Sequence, residues 1–206
     1  MLSFVLAAAA QVSAPVPLNL KGWVSPTDMP ELPGGRGFWM VGVDLLVDTD
    51  GTLRGCTIER TSTIAALDKL TCDLIHKRAR FRPAQWADGS PVTGVYRTSV
   101  GYSQGDGSDM PWLYGYDLEV RVKSLPSGMR NPTRVRVMFA VDSAGAVSSC
   151  NAEPGENFEM AENKPILVPV SCEQLMQNYK AIPVKDPSGN LIRSVQDAVV
   201  QFSTHR

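Results

Sequence analysis

Residues 41–102 read VGVDLLVDTDGTLRGCTIERTSTIAALDKLTCDLIHKRARFRPAQWADGSPVTGVYRTSVGY, and the succession of patterns within them decides the fold. Trp39, Val41, Val43, Leu45 and Val47 alternate with Met40, Gly42, Asp44, Leu46 and Asp48, the period of two that marks a strand with one buried face. Asp50-Gly51 signals a hairpin turn, and residues 52–59 return as a second strand. Ile64, Leu67, Leu70, Leu74 and Ile75 follow at spacings of three and four, which a helix gathers on one side. Lys77, Arg78 and Arg80 crowd the helix end, where positive charge suits the macrodipole, and Pro83 closes the segment. Asp88-Gly89 is a second turn, and residues 92–102 form the closing strand.

The C-terminal half repeats this order. Val135, Val137, Phe139 and Val141 match Val41, Val43, Leu45 and Val47 at an offset of 94, and VDSAGAVSSC (141–150) matches VDTDGTLRGC (47–56) at the same offset. After a six-residue insertion the offset is 100: Cys172 matches Cys72, Ser188-Gly189 matches Asp88-Gly89, and Val200 and Phe202 match Val100 and Tyr102. The second helix shows Cys172, Leu175, Met176 and Tyr179 on one side, with Ser171 and Gln174 expected as a capping box at its start. The insertion carries Glu153, Glu156, Glu159 and Glu162 and reads as a solvated acidic loop.

The four cysteines, Cys56, Cys72, Cys150 and Cys172, allow three pairings. The repeat favours Cys56–Cys72 and Cys150–Cys172. Gaps of sixteen and twenty-two residues do not suit a zinc site, which needs tight cysteine pairs or histidine partners. Structural disulfides imply an oxidising compartment. Residues 1–10 (MLSFVLAAAA) are a short apolar run with Ala8 and Ala10 at the positions of a signal-peptidase site, so residues 1–14 read as a signal-peptide-like segment without the usual basic start. A buried N-terminal helix is the alternative. The former reading places the folded part from about residue 15 onward and in the periplasm; the latter makes residues 1–10 part of the fold.

Charge excludes some partners. The chain carries a net charge of −1, and ten basic against nine acidic residues in 20–104 face ten against twelve in 105–206. Neither half attracts nucleic acid electrostatically. With two histidines, His76 and His205, and no G-x-S-x-G, phosphate-loop or dinucleotide pattern, the sequence offers no catalytic constellation, no metal set and no cofactor. Asp48, Asp50 and Glu59 sit at three of the calcium-loop positions, but Gly51 is misplaced for one and a plain hairpin is favoured. The proline- and glycine-rich lead-in at 14–37 is expected to cross the first unit with Trp23 docked on it, or to be a loose linker. Residues 105–115 are the linker between halves.

The runs V-D-x-x-G-x-x-x-x-C (47–56), L-D-x-x-x-C-x-L-I-x-K-R-A-R-F-R-P-A (67–84) and D-G-x-P-V-x-G-x-Y (88–96), together with Trp23 and Asp28-Met29-Pro30, resemble the C-terminal domain of the TonB energy-transducer family. The resemblance is specific over residues 23–102 and degenerate over 116–203. It implies an α+β fold of two tandem small domains, 15–104 and 116–206, each an antiparallel sheet with a helix packed on one face and one disulfide. It also implies a periplasmic setting, with TonB-dependent transport as the context. The sequence shows neither the membrane anchor nor the long proline-rich spacer of a transducer, so the expectation is binding and not energy transduction.

Two surfaces carry that expectation. An open sheet edge accepts an extended peptide by strand addition, and Tyr96, Thr98, Val100 and Tyr102 alternate along the candidate edge. The alternative is that the other repeat covers this strand. Arg78, Arg80 and Arg82 form a basic cluster that suits either a solvated helix end or an anionic group such as a peptide carboxylate or a peptidoglycan acid. The expected protein is non-enzymatic and binds an extended segment of an envelope or outer-membrane partner. A cell-wall (peptidoglycan) contact or a homodimerisation module is the competing reading.

Overall fold

A computed structural model describes residues 11–31, 37–104, 115–152 and 166–204. The strands are β1 (Val16–Pro17), β2 (Gly37–Val47), β3 (Leu53–Arg60), β4 (Phe81–Arg82), β5 (Ala84–Gln85), β6 (Pro91–Val92), β7 (Gly94–Gln104), β8 (Leu118–Val122), β9 (Thr133–Val141), β10 (Val147–Ala152) and β11 (Ser194–Thr204). The helices are α1 (Ala65–Arg78) and α2 (Val168–Asn178), with short 3-10 turns at Leu20–Gly22 and Pro26–Asp28. None of the described helices is long and apolar enough to cross a membrane.

The expected strand–hairpin–strand–helix–strand unit occurs twice. β2 pairs antiparallel with β3 and β7, and β9 pairs antiparallel with β10 and β11. Gly51 turns the first hairpin at φ 82°, and a Cβ there would lie 2.2 Å from the Phe81 carbonyl oxygen, so only glycine fits. Asp50 is occupied by Thr52, whose N–H and hydroxyl both donate to its carboxylate, the chemistry of a turn and not of a calcium loop. Val41, Val43, Leu45 and Val47 are all fully buried beneath α1 with Leu67 and Ile75, and Val137, Phe139, Val200 and Phe202 are buried with Leu175 of α2. Cys56–Cys72 and Cys150–Cys172 tie each helix to its second strand, as the repeat indicates.

The two units meet edge to edge. Their strands form one seven-stranded sheet, ordered β3-β2-β7-β11-β9-β10 with β8 alongside β11. The join is a parallel contact between Gly94 of β7 and Val195 of β11, continued by the Val195 N–H donating to the Thr93 carbonyl. Neighbours in register share a face of a sheet. Gly94 lies on the α1 side with Tyr96, whereas Val195 lies with Met138 and Ala140 on the side away from α2. The helices therefore cover opposite faces. A palindromic strand order, a parallel central pair and opposed helices together describe two repeats related by an approximate two-fold axis along β7 and β11.

A third apolar cluster spans the join: Val12, Ala14, Ala84, Val92, Met138, Ala140 and Val195. Residues 1–10 lie outside the described residues, but residues 12–14, expected within the leader-like segment, are structural. The Asn151 side chain of the second half bonds both the N–H and the carbonyl of Val12, and Ser13 bridges to Gln85 of the first. A stretch too short to show periodicity is held here by tertiary packing.

The lead-in is ordered where it is described. Trp23 is 2 % exposed, with its ring 5.3 Å from Phe81 and 6.1 Å from Tyr96. Its indole N–H donates to Asn19. The expected capping box of the second helix is not found: α2 begins at Val168 with Leu167 as its N-cap. Ser171, one turn inside, donates to the Leu167 carbonyl. Pro169 in the first turn, where no N–H is needed, sets the earlier start. Met176 is exposed, and Tyr179 caps the helix with its ring 5.5 Å from Phe139. The acidic insertion at 153–162 and linker residues 105–114 lie outside the described residues.

Candidate functional site

The closing strand β7 sits in the middle of the sheet. One edge pairs with β2 over its whole length, without a register shift. The side chains of Tyr96 and Tyr102 do not stand along a free edge: they are 6 % and 3 % exposed and belong to the core under α1. The Tyr102 hydroxyl lies 2.8 Å from that of Thr71, and burial pushes its pKa up despite that hydrogen bond. Thr98 is half-buried, as is Val100, which packs against the same core. Alternation brings all four to one face, and that face is the one α1 covers, with Tyr96 and Tyr102 in the core and Val100 packed against it.

The other edge of β7 is used in part. It meets β11 at Gly94, and at Arg97 side chains replace the ladder. The Arg97 backbone N–H faces the Asp197 carboxylate and pulls its pKa down slightly, and Arg136 Nη2 donates to the Arg97 carbonyl at 3.2 Å. Arg136 Nε and Asp197 Oδ2 are 2.7 Å apart, with both side chains under one-tenth exposed. On the far face the Arg97 guanidinium donates to Asp44, with Nε 2.7 Å from Oδ1, and to Asp117. Asp117 in turn accepts the Val199 N–H at 2.7 Å, and its own N–H donates to the Val199 carbonyl. Asp117 is thus the wedge that seats β8 against β11 as β7 parts from it.

Charges in this seam perturb one another. Burial pushes the Asp197 carboxyl up, and the Arg136 and Arg97 cations pull against it. Burial alone would favour a neutral Arg97, but the hydrogen bond to Asp44 and the Asp117 charge hold it firmly protonated. Burial also raises the Tyr179 hydroxyl, against the attraction of Arg97. None of these five charged residues stands out by sequence motif. The available signal is a charge at a strand position inside an apolar run, as in VDLLV (43–47), TRVRVMFAV (133–141) and SVQDAVV (194–200).

Beyond Arg97 no strand pairs with this edge of β7 among the described residues. Both backbone groups of Arg97 point away from β2. Along an antiparallel pair that orientation recurs every second residue, so Ser99, Gly101 and Ser103 also direct N–H and C=O outward. All three are exposed. The lateral edges of the sheet differ. β3 carries register shifts at both ends of its pairing with β2, and β10 carries one against β9, and such bulges blunt a strand against further pairing.

The basic cluster divides. Arg78 is bound within the molecule: its guanidinium grips Asp28 through both Nη atoms, Nη2 to Oδ1 at 2.8 Å, and donates to the Trp23 carbonyl. Hydrogen bonds from Arg78 and Ser25 hold the Asp28 carboxyl well below the usual carboxylate range. Arg78 therefore clamps the lead-in to the end of α1. Arg80 and Arg82 are exposed.

A cleft of about 340 Å³ that the sequence did not suggest lies where β3 turns away from β2, lined by Phe38, Trp39, Met40, Arg60 and residues 61–63. Its wall is the loop after β3, where Thr63 takes φ 72°. Asp68 of α1 holds that loop by accepting the Ser62 N–H and the Thr61 and Ser62 hydroxyls. Burial would raise the Asp68 carboxyl, but the bonds from Ser62 and Thr61 outweigh it and leave the pKa lowered.

No protein-family model, curated protein or solved structure matches the chain.

Proposed function

We propose that this protein is a non-enzymatic binding module that captures an extended segment of an envelope or outer-membrane protein by adding it as a strand beside β7, from Ser99 to Ser103. The observation that carries the reading is the contrast between edges. β7 is regular along its pairing and unpartnered beyond Arg97 among the described residues, while β3 and β10 are bulged. Main-chain hydrogen bonds supply affinity in such a complex, and the small side chains at Ser99, Gly101 and Ser103 leave the backbone accessible. The Arg97–Asp197–Arg136 contacts set the inner limit of the groove. The choice of an envelope partner rests on the likeness of residues 23–102 to TonB C-terminal domains and on the two disulfides, which suit an oxidising compartment.

Titration of the full chain with peptides copied from extended periplasmic segments of outer-membrane receptors, followed by backbone amide NMR, tests the proposal. Shifts are expected at Ser99, Gly101 and Ser103. N-methylation of alternate peptide residues is expected to weaken binding at least about tenfold, because each lost backbone bond is worth on the order of 1 kcal/mol. Shifts confined to other regions, or indifference to N-methylation, count against it.

A further inference from the structure

The short ribbon of β1 and β4 carries a surface that nothing in the strand-addition reading uses. Val16 pairs with Arg82 and Pro17 with Phe81, and the Leu18 N–H donates to the Arg80 carbonyl at 2.8 Å. Phe81 turns inward to the Trp23 cluster. Alternation therefore sends Val16 and Leu18 outward on one strand, and Arg80 and Arg82 outward on the other, on the same face. Val16 is 41 % exposed and Leu18 63 %, and Leu20 in the adjoining turn is 48 % exposed. Asn19 fixes this arrangement to the end of α1: its amide donates to the Arg78 carbonyl and its oxygen accepts the Arg80 N–H. Arg80 donates to the Ala79 carbonyl, and among the described residues no carboxylate pairs with either arginine.

We infer that this face is a peripheral contact for an anionic phospholipid surface. Exposed aliphatic side chains and cations that no carboxylate pairs stand together here, and a membrane interface accepts apolar side chains and flanking cations together. A free carboxylate or a glycan acid would engage Arg80 and Arg82 but leave Leu18 and Leu20 solvated. The chain as a whole is nearly neutral, so the attraction comes from these local cations and acts only within a Debye length, about 8 Å at physiological salt. The ribbon is preformed, so docking orders little.

Sedimentation of the full chain with sucrose-loaded vesicles tests this, comparing phosphatidylcholine alone with the same lipid containing about one-third phosphatidylglycerol. Binding is expected only with the anionic lipid, and it falls as salt is raised. Arg80→Gln with Arg82→Gln is expected to reduce the partition coefficient about 30-fold. Leu18→Ser with Leu20→Ser is expected to reduce it about tenfold or more at either salt. All four side chains are exposed, so the melting temperature of both variants should match the parent. Peptide binding at β7 should also be unchanged, which separates failure here from failure of the strand-addition reading. Absence of vesicle binding, equal binding to neutral vesicles, or variants that bind like the parent would overturn the inference. Retention by peptidoglycan or an acidic peptide that the leucine substitutions leave unaltered would overturn it too.

Discussion

Arg136→Met is expected to lower folding stability by about 3–5 kcal/mol, because it strands a buried carboxylate. Arg136 supplies the cation 2.7 Å from Asp197 and the donor that satisfies the Arg97 carbonyl, both at the join of the two repeats. Removing it leaves Asp197 with the Arg97 N–H and a more distant guanidinium. In a protein of this length the loss is a fall of about 10 °C in melting temperature. Replacing both partners, Arg136→Met with Asp197→Leu, is expected to recover part of it: the stranded charge is gone, but the Arg97 carbonyl still lacks its donor.

The pH dependence has a definite sign. A carboxyl whose folded pKa is raised binds its proton more tightly in the folded state. Its effect on stability therefore becomes less favourable as pH rises from the unfolded carboxylate range through the folded pKa. Asp197 is shifted in that direction already, and loss of Arg136 shifts it further. The deficit of Arg136→Met should be smallest in acid and widen towards neutrality. Thermal denaturation of the single and double variants at several pH values measures this.

Loss of both disulfides is expected to cost more. Each closes a loop of sixteen or twenty-two residues, which in the chain-entropy account corresponds to about 3 kcal/mol. The two staples lie in different cores, so their contributions should add. A total of about 6 kcal/mol compares with the 5–15 kcal/mol typical of a whole domain. Cys56→Ala with Cys72→Ala, Cys150→Ala with Cys172→Ala, and the fourfold variant should give stepwise falls in denaturant midpoint. The fourfold variant should be largely unfolded at 37 °C. Midpoints equal to the parent's for all three would remove the physical reason for reading an oxidising compartment from the disulfides.

Local patterns in the sequence were enough to find each unit but not how the units meet. Period-two runs such as 41–47 and 135–141, the glycine turns and the cysteine spacing are short-range consequences of burial and turn geometry, and the hairpins, both disulfides and the docking of Trp23 follow from them. The continuous sheet depends on contacts between residues about a hundred positions apart, Gly94 with Val195 and Arg136 with the Arg97 carbonyl. One such pair leaves no periodic trace. The same limit explains the site: alternation put Tyr96, Thr98, Val100 and Tyr102 on one face, and burial under α1 decided that this face was the core side. The start of α2 is not legible locally, because Ser171 and Gln174 fit a capping box while the helix begins a turn earlier, at Val168.

Two repeats that share one sheet are expected to unfold as one body. Hydrogen exchange of the full chain across a denaturant series, read separately for residues 94–104 and 194–204, tests it most directly. Both strands are expected to lose protection at the same denaturant concentration, and Arg136→Met is expected to shift both together. Protection lost from one strand well before the other, with the substitution moving only the second, would contradict it.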